Sequence, residues 1–424
     1  MDWILFEVKD TGIQIAEEDQ EKVFEPFENI LEDKNDPRLW FGLGLKIVEH
    51  IVHLHGKAKY FIIMKRLLAF ILFLSACSTS PIAPPPAELI VTIVPPTPMS
   101  TQTLQPTPTR TPEEALAPYT IAGLRAREYD NSKIVLGDPV LETEHFTRYH
   151  IEYPSDGLKI TGVLQIPKLG EPPYPVIIMN HGFFSRYVYA SGDGTDRAAD
   201  FLNRRGYLTV SSDYRSWGGS DTGESLFYSG QVIDVINLMY ALDSIPQADA
   251  SRMGMWGHSM GGGITAKVLT IVDDRIKAAV LYSSVSPDFA DVIGRWGPGC
   301  VGDVFAGELA FGCNSSDILP LDLPADLTAS YFDATSDPVM LEAVSPLYHF
   351  HYVTAPVQIV YGTEDGKTSA GTPPEWSRKM YEAFIEAGVN AEIFGYQGEE
   401  HSFIGDPWFA FMAKTQLFFD KYVK

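Results

Sequence analysis

Cysteine is scarce in this chain of 424 residues: there are three, Cys77, Cys300 and Cys313. Three thiols cannot build a disulfide scaffold or a four-cysteine zinc site, and no metal is expected. Positive charge is also short, with 32 Lys and Arg against 55 Asp and Glu and a net charge of −23. Phosphate backbones are bound by clustered Lys and Arg, so a nucleic-acid partner is not expected. The folded part is equally ill suited to anionic membrane surfaces. Long apolar runs are missing too. Leu67–Leu74 falls well short of the roughly 20 residues that cross a bilayer. Hydrophobic residues make up 45% of the chain, which excludes wholesale disorder.

These totals conceal four segments. Residues 1–63 carry 13 acidic and 7 basic residues and end in Tyr60-Phe61-Ile62-Ile63. Residues 64–77 run from Met64-Lys65-Arg66 through the apolar stretch to Ser75-Ala76-Cys77. Residues 78–117 hold 10 of the 30 prolines, interleaved with Thr, Ser, Ala and Gln. Proline removes backbone donors and its neighbours supply no core, so this segment reads as a disordered, extended tether. Residues 118–424 have the composition of one folded domain.

A basic start, a short apolar core and small residues before a cleavage point make a secretory signal. Leu74-Ser75-Ala76-Cys77 resembles the lipobox of bacterial lipoproteins. The resemblance implies a lipid on Cys77 and an exported, extracytoplasmic domain anchored to a bacterial membrane. Such a signal acts at a free N-terminus, so translation is expected to start at Met64.

In residues 1–63, Phe6–Ile13 reads as a strand running into a turn, and Phe41-Gly42-Leu43-Gly44 opens an amphipathic helix. With Lys22-Val23-Phe24-Glu25-Pro26-Phe27 between them, these resemble the C-terminal half of the ATP-binding domain of sensor histidine kinases. In that family an Asp reads the adenine amine and a glycine box lets a lid approach the phosphates. The roles would fall on Asp10, Gly12, Gly42 and Gly44. Gln14 stands where the family has a second glycine, and the Asn-rich magnesium helix does not precede it. The segment is therefore expected to be a remnant of an upstream kinase gene read into a lipoprotein gene. An ATP-binding signalling protein is the alternative function of another class.

In residues 118–424, apolar β-branched runs alternate with helical patterns. Strands are expected at Val163–Ile166, Val176–Asn180, Tyr207–Ser211, Arg252–Trp256, Ala278–Tyr282, Val357–Tyr361 and Ala391–Tyr396. Helices are expected at Arg197–Arg205, Gly230–Asp243, Gly262–Ile271 and Pro374–Ala387. This alternation implies a mostly parallel sheet covered on both faces. Gly257-His258-Ser259-Met260-Gly261 lies between a strand and a helix, the context of a nucleophile elbow. A serine hydroxyl needs a base to take its proton and a carboxylate to orient that base. Asp365 and His401 each follow a strand, and parallel strands share one C-terminal edge. Glu364 and Asp288 are rival acids; His349 and His351 are rival bases. Two backbone N–H groups should face the developing oxyanion. Met260, just after the nucleophile, supplies one, and Phe183, in His181-Gly182-Phe183-Phe184, the other.

These motifs, with Asp213-Tyr214-Arg215 and Gly362-Thr363-Glu364-Asp365, resemble the α/β-hydrolase superfamily, in its dienelactone hydrolase and prolyl-oligopeptidase-like branch. The resemblance covers roughly residues 144–424. It implies an α/β-hydrolase fold with a lid insertion at about 285–355, and hydrolysis of an ester or amide through an acyl-enzyme without metal or organic cofactor. About 30 residues separate the tether from the first matching strand, too few for a β-propeller that filters peptides. A carboxylesterase acting on a small-molecule ester is therefore expected, with a serine peptidase acting on short peptides as the alternative. With Cys77 committed to lipid, and export placing the domain where disulfides persist, a Cys300–Cys313 bridge is expected across the lid.

Overall fold

The computed structural model describes residues 110–130, 132–186, 188–302 and 313–424. The chain divides into two units, Met1–Thr101 and Gln102–Lys424, and the second is the one described. The kinase-like segment with Asp10, Gly12, Gly42 and Gly44, the signal with Cys77, and nearly all of the tether lie outside the described residues.

Two short helices come first, α1 (Pro112–Leu116) and α2 (Ile121–Ala126). Helix α1 corrects the expectation of a disordered tether reaching residue 117. Thr111 caps this helix and Glu114 reaches back to its amide in a reciprocal capping box, with Pro112 in the first turn. Ala115 and Leu116 are buried, and Arg110 pairs with Asp326 at 3.0 Å. A proline here begins a helix and does not extend a coil.

Three antiparallel strands follow: β1 (Val135–Glu142), β2 (Phe146–Ser155) and β3 (Leu158–Pro167). Strands and helices then alternate through β4 (Tyr174–Asn180), α3 (Asp196–Asn203), β5 (Leu208–Ser212), α4 (Ser229–Ala241), β6 (Ala248–His258), α5 (Met260–Leu269) and β7 (Ile276–Tyr282). An insertion contains α6 (Phe289–Trp296), β8 (Gly299–Val301), β9 (Asn314–Leu319), α7 (Ala325–Ala334) and α8 (Pro338–Val344). The chain closes with β10 (Val357–Gly362), α9 (Pro374–Glu386), β11 (Ala391–Tyr396) and α10 (Gly405–Tyr422).

Nine strands form one sheet in the order β1-β2-β3-β5-β4-β6-β7-β10-β11. The six from β5 to β11 are mutually parallel. Strand β4 is buried along its whole length, as a central parallel strand must be. Its side chains alternate between two cores. Val176 and Ile178 pack with Val232 and Ile236 of α4 and Ile264 of α5. Ile177 and Met179 pack with Leu202 of α3 and Phe411 and Phe419 of α10. Edge strand β1 is exposed throughout and carries Pro139, which cannot donate to a further strand. Among the described residues no helix is long and apolar enough to cross a membrane.

The insertion is seated by buried polar contacts. Asp317 on β9 accepts the amides of Phe227 and Tyr228 at 2.7 and 2.9 Å. Cys300 and Cys313 are bonded to each other, joining β8 to the residue before β9.

Candidate active site

Ser259 lies between the end of β6 and the start of α5 with φ 56° and ψ −122°. This region is strained for any residue with a Cβ, and it is held by the packing around it. A Cβ on Gly257 would come within 2.2 Å of the Gly261 carbonyl oxygen; one on Gly261 would come within 2.0 Å of that of Asn180. Only glycine fits at either end of the motif. The Ser259 amide donates to the Tyr282 carbonyl at 3.0 Å, and the Ser259 carbonyl accepts from Gly262 and Val285. The turn is thereby fixed to β7 and to its own helix.

Asp365 follows β10 and is buried. His401 follows β11, and its Nδ1 lies 2.9 and 3.1 Å from the two Asp365 oxygens. That carboxylate also accepts the Gly366 amide, the Thr372 amide and the Thr372 hydroxyl, at 2.7 to 2.8 Å. Burial opposes its charge, but the bonds from His401 and Thr372 outweigh burial and hold the carboxyl below its ordinary range. Sequence reasoning missed Thr372. The signal is faint: a hydroxyl residue seven positions beyond the acid, across a loop whose return the sequence does not show.

The His401 loop lies against residue 258. The rings of His258 and His401 are 4.8 Å apart, and His258 Nε2 is 3.0 Å from the His401 carbonyl oxygen. His401 therefore stands next to the turn that presents Ser259. Gly182 closes the other side, since a Cβ there would be 3.1 Å from that of Ser259. This brings the loop carrying Phe183 against Ser259. Met260 opens helix α5, so its N–H has no acceptor within the helix.

The rival groups are engaged elsewhere. Asp288 caps α6 and pairs with Lys379 at 2.6 Å. Glu364 pairs with Lys367. His349 Nε2 faces the Glu342 carbonyl, and His351 packs against Tyr352. His181 and Asp213 are close but are not an acid–base pair. The imidazole stacks on Tyr189 and Tyr214 and meets the backbone carbonyl of Asp213, not its carboxylate. The Asp213 carboxylate accepts from Tyr189, Ser191 and Thr161. Among the described residues no group of three or more His, Cys, Asp or Glu could hold a metal ion.

The sheet order and the elbow at Ser259 define an α/β-hydrolase fold. Residues 175–304 match the family model described as alpha/beta hydrolase fold. Residues 1–93 match that of the histidine kinase-, DNA gyrase B- and HSP90-like ATPases. An uncharacterized 31.7 kDa protein of Escherichia coli is 32% identical over 129 residues, 30% of this chain and 42% of the relative. Esterase FrsA of Yersinia enterocolitica is 27% identical over 135 residues, 31% of this chain and 30% of the relative. Both matches span less than half the length of these relatives. Among solved structures, the acylaminoacyl peptidase of Pyrococcus horikoshii is similar with a TM-score of 0.47 and 20% identity, covering 66% of this chain and 42% of that one.

Proposed function

We propose that this chain is a serine hydrolase that cleaves the ester bond of a small substrate through an acyl-enzyme. The observation that carries the reading is the bond from His401 to buried Asp365, in a loop packed against the residue before strained Ser259. Ser259 Oγ attacks the ester carbonyl carbon while His401 Nε2 takes the hydroxyl proton. The oxyanion accepts from the amides of Met260 and Phe183. The carbon–oxygen bond to the alcohol breaks, and the imidazolium returns its proton to that alcohol. Water then attacks the acyl carbon with His401 again as base, and releases the acid and Ser259. Asp365 keeps the imidazole in the tautomer with Nε2 free and stabilises the imidazolium.

A fluorophosphonate probe tests this. Wild type should be labelled and Ser259→Ala should not; an unlabelled wild type would remove the reading. Turnover of acyl esters but not of aminoacyl amides supports the esterase. Comparable turnover of amides would replace it with a peptidase. We propose in addition that the domain is exported and held to a membrane by a lipid on Cys77. Support comes from the order of basic pair, apolar core, lipobox and proline-rich tether, and from the Cys300–Cys313 bridge, which suits an oxidising compartment. A clickable fatty acid should label the native protein and not Cys77→Ala.

A further inference from the structure

The segment that carries the base, residues 397–404, contains neither helix nor strand. Such a segment has no ladder of its own to fix it, yet a general base must stand within a few tenths of an ångström of its place. Thr363 accepts the Gly398 amide through its hydroxyl at 2.9 Å, and from His401 onward the loop is gripped through its backbone by side chains from three other elements. His258 at the end of β6 faces the His401 carbonyl at 3.0 Å. Tyr282 at the end of β7 accepts the Phe403 amide through its hydroxyl. Arg197 of α3 donates to the Phe403 carbonyl at 2.9 Å. The Phe403 side chain is buried against Tyr282 and Phe411.

Of these three, His258 is set apart by its place in the chain. It precedes the nucleophile, so its backbone is part of the strained turn that presents Ser259. Its ring stacks on Tyr282 at 4.6 Å and lies tilted against the ring of His401 at 4.8 Å. Its partner at Nε2 is a carbonyl oxygen, which only accepts, so Nε2 carries the hydrogen. Burial, with His401 adding to it, pushes the imidazole down to about 3, so it is neutral beside a base that must itself become charged.

We propose that His258 is a positioning residue for His401. Its Nε2–H holds the His401 carbonyl and its ring backs the His401 ring, so one turn sets the places of both nucleophile and base. Histidine suits this position because it combines a flat ring that packs against both Tyr282 and His401 with a donor at its far end. The inference rests on reading Ser259, His401 and Asp365 as the triad.

The test measures hydrolysis of p-nitrophenyl acetate and the rate of fluorophosphonate labelling in the full chain. His258→Leu, which has no donor, should lower kcat by roughly 10- to 100-fold and slow labelling in parallel, with KM within about twofold. His258→Gln, whose amide nitrogen can reach the same carbonyl, should recover most of that loss. If the Leu variant fails to fold, His258→Asn replaces it as a polar side chain too short to reach. Equal losses in the long and short variants, a change confined to KM, or wild-type rates in His258→Leu would each overturn the inference while leaving the triad standing. Failure of the triad reading shows separately, as an unlabelled wild type or as labelling that persists in Ser259→Ala.

Discussion

At φ 56° Ser259 gives up backbone comfort to lift its hydroxyl clear of the sheet, and the groups around it bear that cost. Asp365 is held in a similar way, by its neighbours. Thr372 gives Asp365 both its amide and its hydroxyl, and that hydroxyl lies 2.9 Å from the Ser283 carbonyl as well. Thr372→Val keeps the shape and the amide but deletes the hydroxyl. A hydrogen bond to a charged group contributes about 1.5–3 kcal/mol. We expect kcat/KM for an ester to fall by about 10-fold, and the acid-unfolding midpoint to move to higher pH. The sign follows from the depressed carboxyl. Its stabilising contribution is present above the ordinary Asp value of 3.8 and is lost as pH falls through the lower folded value. The variant narrows that gap. Unchanged acid unfolding by circular dichroism would contradict this.

Among elements, the contact between α5 and the insertion holds an unusual group. Lys267 is fully buried in α5, donates to the Phe227 carbonyl and the Ser229 hydroxyl, and lies 5.1 Å from the Phe289 ring. Burial pushes its ammonium down to about 7, although Asp317 nearby raises it. Burial in turn pushes Asp317 up to about 6, against its bonds from Tyr228, Phe227 and Tyr331. Between about 7 and the ordinary Lys value of 10.5, the unfolded chain holds a proton that the folded chain has released. Stability therefore rises with pH across that window. Relative to Lys267→Met, the wild type should gain roughly 1 kcal/mol per pH unit between pH 7 and 9, read from urea unfolding. Parallel curves would show that Lys267 does not titrate there.

The elements are legible in the sequence to different degrees. Strands β4, β7 and β10 are built largely of apolar residues buried on both faces, and the sequence pattern places them within a few residues; of β6 only the buried second half, Met253–Gly257, is readable in that way. Helix α10 carries a readable pattern that the expected elements leave out: Trp408, Phe411, Met412, Thr415, Phe418 and Phe419 follow helical spacing and all are buried. Strands β1 and β2 are not readable, because β1 is exposed along its length and β2 alternates irregularly. Of the candidate site, Ser259, Asp365 and His401 are legible because nucleophile, acid and base chemistry limits the candidates to few residue types. Thr372 and His258 are not, because their contacts with Asp365 and His401 depend on loops that meet only in three dimensions.

For the molecule as a whole, the limit of the folded unit lies earlier than composition indicates. Proline content places the end of the tether at residue 117, yet Pro112 begins a helix that docks on α7. Leu116 is wholly buried there. Leu116→Ala in the full chain should cost about 2–4 kcal/mol of unfolding free energy, as a core leucine does. A tether leucine would cost less than about 0.5 kcal/mol. An unchanged thermal midpoint would return the boundary to residue 118.

The way the base is anchored has a bearing on how the protein could change. Because neighbouring side chains hold the loop by the carbonyl and amide of its backbone and Phe403 buries its ring, Ser402 and Ile404 are spared from holding it. Ser402 and Ile404 face solvent. On the proposed function, a laboratory library randomised at these two positions should alter substrate preference while the bond between His401 and Asp365 stays in place.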